Sequence, residues 1–512
     1  MTSEKETSSI KSSESSQNES NGKSSQIHKF LGFHGRKLNI AVACFSGVGF
    51  LLFGFDQSLM GSLLTLPNFE KTFPSISGNT LHAATLTGAV VSIYEIGCFI
   101  GALLTVYFGD KLGRIKCMFI GCIIVIIGAV LQTTAYTVTH LAIARVAGIA
   151  IAYWVDFGFY FLGDNDTKGI SWRIPIILQT IFPILLLSVI FKMPESPRWL
   201  MSKGRTNEAR IVFSAIYNLP ENDPKVTDQM VEISNAIELE AKANVGFSIG
   251  ELVKQGPTRN FHRLCLACWI QIFQQITGIN LITYYAGTIF EKYIHLSPFN
   301  SRILAACNGT EYFLASLLGI AFIEKVGRRK LLFWGAVGQA LSMMALTIAT
   351  WQADKQREEN GGGTQAGIAA TVFLFVFNSV FAVSHLGGAW LYPPEISSLS
   401  LRAQTNALST SCNWIFNFLV VMITPIAFQN ISYYTYTIFA CINILIAPMI
   451  YIFYPETSGR TLEEMDAIFN ATPVWRPWEV VRIEKNMPRR DDNNVEDLEK
   501  PYTDHLDYVE SS

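Results

Sequence analysis

Asp110-Lys111-Leu112-Gly113-Arg114-Ile115-Lys116 returns as Glu324-Lys325-Val326-Gly327-Arg328-Arg329-Lys330, 214 residues further on. Each copy sets an acid, a glycine and several cations into a very short link between two long apolar runs. A turn that tight holds its charges at the membrane surface, where they pair with one another and with lipid phosphates. One such turn would be an ordinary charged loop. Two, in corresponding places, imply a membrane protein built from two related halves, an architecture used by secondary transporters.

Composition points the same way. Of 512 residues, 50% are hydrophobic, 12% aromatic and 16% charged, and the mean hydropathy is +0.28. Soluble chains carry about 25% charged residues. The deficit lies in uncharged runs of roughly 20 residues, each long enough to cross a bilayer. The net charge of −2, spread over loops and tails, offers no basic patch for nucleic acid. The nine cysteines fall in or beside apolar runs rather than in outer loops, which reads as packing and not as a disulfide framework. The Cys265-x-x-Cys268 pair has no second pair or ligand histidine beside it, so no metal is expected there. No phosphate-binding loop, nucleophile elbow or metal-ligand spacing occurs. An enzyme, an ATP-driven pump and a cofactor are therefore not expected.

Apolar runs place spans near 38–60, 82–107, 117–136, 138–162, 172–192, 263–289, 303–323, 331–350, 366–391, 404–427 and 433–454. Residues 1–37 read as a disordered cytoplasmic N-tail, 38–192 as a first transmembrane bundle, 193–262 as a cytoplasmic middle loop, 263–456 as a second bundle and 457–512 as a cytoplasmic C-tail. Lysine and arginine collect in the N-tail, the two repeated turns and the middle loop, so all of these should face the cytoplasm. The count then fails. Five spans separate the N-tail from the middle loop, and an odd number puts that loop outside.

The internal repeat locates the fault. Pro194-Glu195-Ser196-Pro197-Arg198 closes the first half, and Pro455-Glu456-Thr457-Ser458-Gly459-Arg460 closes the second. From acidic turn to closing motif is 455 − 324 = 131 residues in the second half but 194 − 110 = 84 in the first, a shortfall of 47. The second half also carries Pro393-Pro394-Glu395 and Arg402, with no counterpart in the first. A longer outer loop at 351–365 explains some of the difference; for the rest, the expectation is a deletion near 148–151 that removes the end of a fourth span, its loop and the start of a fifth.

Together Gly109–Lys116, Pro194–Arg198, Gln274-Gln275-Ile276-Thr277-Gly278-Ile279-Asn280, Trp390-Leu391-Tyr392-Pro393-Pro394-Glu395, Asn413-Trp414 and Pro455–Arg460 resemble the sugar porters of the major facilitator superfamily. The resemblance covers about 38–470. Tyr94–Phe99, Tyr153–Gly158 and Tyr392–Phe428 are similar to its fungal sugar-transporter-like branch, which includes glycerol–proton symporters. It implies an all-α membrane protein with the major facilitator fold, two halves of six helices, and a first half short of one span. It further implies a multi-pass, monomeric plasma-membrane protein.

Residue chemistry adds detail. Asp56 lies deep in the first apolar run, where a carboxylate is costly and by default faces a cavity or a partner. Arg145 is the only cation in the run 138–162 and its natural partner. In proton-coupled members the matching pair is a proton switch, which implies symport here. Glu95, beside Gly97 and Gly101, is a candidate for a further proton site or for helix packing. Gln274, Gln275 and Asn280 fall on neighbouring directions of one helix, and amides both donate to and accept from the hydroxyls of a sugar or polyol. Trp390 and Trp414 offer flat apolar faces and Asn413 a further amide. The resemblance assigns these residues and Tyr284 to the substrate site. His385 reads as a packing residue.

Asp110, Gly113, Arg114, Glu324, Gly327, Arg328 and Arg329 in the two turns, with Glu195/Arg198, Glu395/Arg402 and Glu456/Arg460, should form a cytoplasmic gating network. Three functions compete: proton-coupled uptake of a sugar or small polyol, a facilitative uniporter, and a non-transporting nutrient sensor. The missing span should impair whichever applies.

Overall fold

An uncharged run inside hydrocarbon must satisfy its own backbone, so it folds as helix. The computed structural model describes residues 28–64, 66–76, 80–135, 170–243, 249–256, 258–361, 363–398 and 401–488, and among these the long elements are all helical. In the first half they are α1 (Gly35–Leu63), α2 (Leu81–Leu112), α3 (Arg114–Thr133), α4 (Ile170–Leu178) and α5 (Ile181–Val189). The second half holds α6 (Asn260–Ile276), α7 (Ile279–Thr288), α8 (Pro298–Val326) and α9 (Arg328–Asn360). It continues with α10 (Thr364–Phe381), α11 (Gly387–Ile396), α12 (Arg402–Ile431) and α13 (Tyr434–Phe453). The described chain is thus all-α, its long helices divided between two halves.

Among the described residues nine stretches are long and apolar enough to cross a membrane, and six of them lie between Asn260 and Phe453. The second half thus has its full complement. In the first half the stretches are Leu81–Leu104, Arg114–Thr133 and Trp172–Lys192, preceded by the 29-residue α1. The run 138–162, with Arg145 and the 148–151 junction, lies outside the described residues. Large apolar side chains stand outward on these helices, among them Ile320, Trp334 and Leu445 at 66–70% exposure, as expected where the solvent is lipid.

One span of the second half is broken and another carries a π turn, where the sequence reads as regular continuous helix. α6 ends at Ile276 because Thr277 is followed by Gly278 at φ +96°, a conformation that leaves no room for a Cβ against Phe439. α7 restarts the span, which bends again at Tyr285 and finishes in a π turn at Ile289–Tyr293. The freed carbonyl of Thr277 accepts from Asn443 Nδ2 of α13 at 2.9 Å, so the break is satisfied inside the protein. Likewise α10 and α11 are separated by a π turn at Ala382–Leu386. Gly335 of α9 faces that turn, and a Cβ there would sit 2.1 Å from Ser384 Oγ.

The described chain packs as two compact units, one drawn from 1–50, 107–124 and 181–246, the other from 51–106, 125–180 and 247–512. In the first, the helices Pro197–Ser202 and Thr206–Tyr217 of the middle loop close over Trp199, Leu200, Ala209 and Val212. In the second, Leu266, Ile270 and Phe273 of α6 meet Ile446 and Ile450 of α13 and the tail helices Leu462–Ala471 and Val480–Asn486.

Candidate functional site

Glutamines of α6 answer backbone carbonyls of the span formed by α10 and α11, where a π turn precedes α11 and Pro393 has no N–H to offer the Ala389 carbonyl four residues before it. Gln271 Nε2 donates to the Ala389 carbonyl at 3.1 Å, and Gln274 Nε2 donates to the His385 carbonyl at 3.1 Å. Both side chains then turn their oxygens to one amide of α12. Asn413 Nδ2 donates to Gln271 Oε1 at 2.6 Å and to Gln274 Oε1 at 2.8 Å. Asn413 Oδ1 accepts from Gln275 Nε2 at 2.8 Å, and Gln275 Oε1 accepts from Asn280 Nδ2 across the Gly278 break. Gln271, Gln274, Gln275, Asn280 and Asn413 are all at most 7% exposed.

These contacts divide the predicted residues. Both N–H groups of Asn413 are used, and Gln274 is committed to the backbone of the tenth family span, so these two chiefly hold the wall in shape. Gln275 and Asn280 bond here to side-chain amides and not to backbone, and an amide–amide bond can be exchanged for one to a hydroxyl-bearing ligand. Gln271 was not anticipated. Its signal was present, since it stands one helical turn before Gln275 and one position from the same stripe as Gln274. Trp390 is 41% exposed on α11 and Trp414 is half-buried on α12, beside Asn413. His385 is fully buried, with Nδ1 2.8 Å from Gln339 Nε2 and 3.0 Å from Ser384 Oγ, as befits a packing residue.

Tyr284 is completely buried, and its hydroxyl donates to Glu95 Oε1 of α2. Glu95 is likewise fully buried. α1 carries Asp56 within its helix, but the Asp56 side chain and all of Arg145 lie outside the described set.

The charged turns behave alike in both halves. Gly113 has φ +83°, and Glu195 places its two oxygens 3.1 Å from the backbone nitrogens of Arg114 and Ile115, the first residues of α3. Gly327 has φ +93°, and Glu456 sits 2.8 Å and 3.2 Å from the nitrogens of Arg328 and Arg329, which open α9. Each closing-motif carboxylate therefore caps the helix that follows the repeated turn, where the dipole favours negative charge. Glu395 pairs with Arg328 at 3.0 Å and accepts from Thr457 Oγ1. Arg114 and Glu324 are exposed, Arg198 lies in the helix Pro197–Ser202, and Arg402 opens α12. The Asp110 side chain is outside the described set.

One expected pair is replaced. Arg460 does not face Glu456; it is 2% exposed and donates to the carbonyls of Glu484, Met487 and Pro488, with Glu484 Oε1 at 3.4 Å. The cation has gone to the C-terminal end of the helix Val480–Asn486, where carbonyls lack partners, and the anion to a helix start. All nine cysteines are free, and the described residues hold no cluster of three or more His, Cys, Asp or Glu fit for a metal.

A family model described as "Sugar (and other) transporter" matches residues 40–148 and 136–469. The sugar transporter STL1 of Saccharomyces cerevisiae is 36% identical over 91% of this chain and 87% of that protein. The MFS-type transporter oryC of Aspergillus oryzae is 31% identical over 85% of this chain and 86% of that protein. Among solved structures, the proton:xylose symporter XylE bound to 6-bromo-6-deoxy-D-glucose, XylE being from E. coli, is similar with TM-score 0.67 and 23% identity. That likeness covers 85% of this chain and 100% of that one.

Proposed function

The chain belongs to the sugar (and other) transporter family of multi-pass membrane proteins, and from that premise we propose proton-coupled uptake of a sugar or small polyol at the plasma membrane, by alternating access. The observation that carries this is the buried amide chain Asn280–Gln275–Asn413, set at the break of one span and beside the π turn of another. Hydroxyl groups can replace amide–amide bonds one for one, and Trp390 and Trp414 supply the flat surface that C–H faces require. Proton coupling is supported by the carboxylates Asp56 and Glu95 within membrane helices and by the symporter with the similar fold.

A shortened first half also has support. The alignment with STL1 runs over 513 positions but takes in 91% of 512 residues, about 466, so about 513 − 466 = 47 positions face no residue here. That is similar in size to the shortfall between the two halves of the repeat. The family model likewise matches in two segments that divide at 136–148. Loss of a span next to the substrate wall slows transport by this chain.

A panel of labelled glycerol, glucose, xylose and lactose, with external pH recorded, tests the reading. Uptake with alkalinisation of the medium is expected for one of the four. Uptake without pH change makes the chain a uniporter, and neither uptake nor binding overturns the transporter reading for this chain.

A further inference from the structure

α7 is a ten-residue helix with a break before it and a bend within it, and it carries Asn280 of the amide cluster. Three side chains fasten it. Asn280 donates to Gln275 Oε1, Tyr285 donates to the Val421 carbonyl of α12 at 3.0 Å, and Tyr284 donates to Glu95 of α2. Of these three acceptors, only Glu95 changes its charge with pH. The α2 helix packs closely on α12 near this point, since Gly88 lies so close that a Cβ would be 2.4 Å from the Met422 carbonyl, and Ser92 is 3.8 Å from Met422 Sδ. Glu95 is thus a titratable anchor on a neighbouring helix, holding a short element of the substrate wall that has a break before it and a bend within it.

We infer that Glu95, acting through Tyr284, is a proton-dependent latch on α7 and so ties the loading of one proton to the opening of the substrate site. This rests on the symport reading above. A hydrogen bond to an ionised carboxylate is about twice as strong as one to a neutral acceptor. With Glu95 ionised, Tyr284 is held and α7 stays against α2. When Glu95 takes one proton from the outer water, the bond becomes an ordinary neutral one and α7 is released to admit substrate. The proton leaves to the cytoplasmic side after substrate does, restoring the carboxylate; no other bond is made or broken. Tyr284 of α7 is a titratable partner of Glu95; α2 adds Tyr94 and Cys98 at neighbouring positions, and Met422 of α12, which does not titrate, lies against Ser92 one turn earlier on α2. The other charged or histidine side chains that the sequence places in the apolar runs of this half are Asp56, His82, His140, Arg145, Asp156, Arg173 and Lys192. Glu95 is a positioning residue, distinct from the Asp56 switch that the family resemblance implies.

The test uses the full chain in detergent, with glycerol, D-xylose and D-glucose as probes and tryptophan fluorescence to report binding between pH 5 and pH 7. Wild-type protein should bind its preferred probe about five- to tenfold more tightly at pH 5. Glu95→Gln, which keeps the shape but cannot ionise, should show the tight value at both pH values. Tyr284→Phe should lose the pH dependence too, and Glu95→Asp should restore part of it. The protonated-carboxyl stretch in infrared difference spectra should vanish in Glu95→Gln. Binding of no probe by wild type overturns the symport reading and this inference with it. Wild-type pH dependence in folded Glu95→Gln or Tyr284→Phe overturns this inference alone.

Discussion

Replacing Gly327 with alanine should dislodge the carboxylate that starts α9. The Cβ would lie 2.4 Å from Glu456 Oε2 and 2.8 Å from its Cδ, far inside contact distance. At φ +93° and ψ 153° the backbone is also in a region that only glycine occupies readily, which costs an L-residue about 1–3 kcal/mol. Loss of the bonds to Arg328 N and Arg329 N adds the value of an N-cap, about 0.5–2 kcal/mol. The sum, about 1.5–5 kcal/mol, is a large share of the net stability of a folded chain. Thermal unfolding of the purified protein in detergent should show a Tm several degrees lower. Glu456→Ala should cost the cap alone, and the double variant should fall short of additivity by about that same 0.5–2 kcal/mol, because the two single changes remove one shared contact. A Gly327→Ala protein as stable as wild type, or strictly additive effects, would refute the capping argument.

Three further outcomes follow from the site and the tail. Gln275→Ala removes the bridge between Asn280 and Asn413 and should weaken probe binding by about 1–3 kcal/mol, roughly five- to a hundredfold, without lowering the amount of protein in the membrane; isothermal titration checks it. Asp56→Asn should abolish substrate-driven proton uptake while sparing some substrate exchange, as read by external pH and by counterflow in proteoliposomes. Arg460→Ala strips the helix Val480–Asn486 of its anchor, worth at least about 1.5–3 kcal/mol, so limited proteolysis should cut between 472 and 488 faster than in wild type.

The membrane class, the two-fold repeat and the six spans of the second half were legible in the sequence because each rests on a local pattern of apolar length and charged turns. What bridges distant residues was not. Nothing near Glu456 says that its oxygens will meet the amides of Arg328 and Arg329, and simple charge pairing favours Arg460 instead. The helical wheel put Gln274, Gln275 and Asn280 on one rod, whereas Gly278 divides them and the Gln275–Asn280 bond spans the joint. Tyr284 was assigned with the substrate residues by resemblance; its partner Glu95 lies 189 residues away, a contact that no local pattern encodes. Gln271 was passed over because no motif includes it, although helical spacing pointed to it.

The caps on α3 and α9 have a consequence for how the chain is made. Glu195 is 81 residues downstream of the amide it caps, and Glu456 is 128 residues downstream of its own. A ribosome adding about 5–20 residues per second leaves α3 uncapped for roughly 4–16 s and α9 for roughly 6–26 s. During that interval the bare amides stand at the membrane surface, available to lipid phosphate or to a chaperone. Each half is fastened only when its closing motif leaves the exit tunnel, so completion of the last span and locking of the first turn are a single event in biosynthesis.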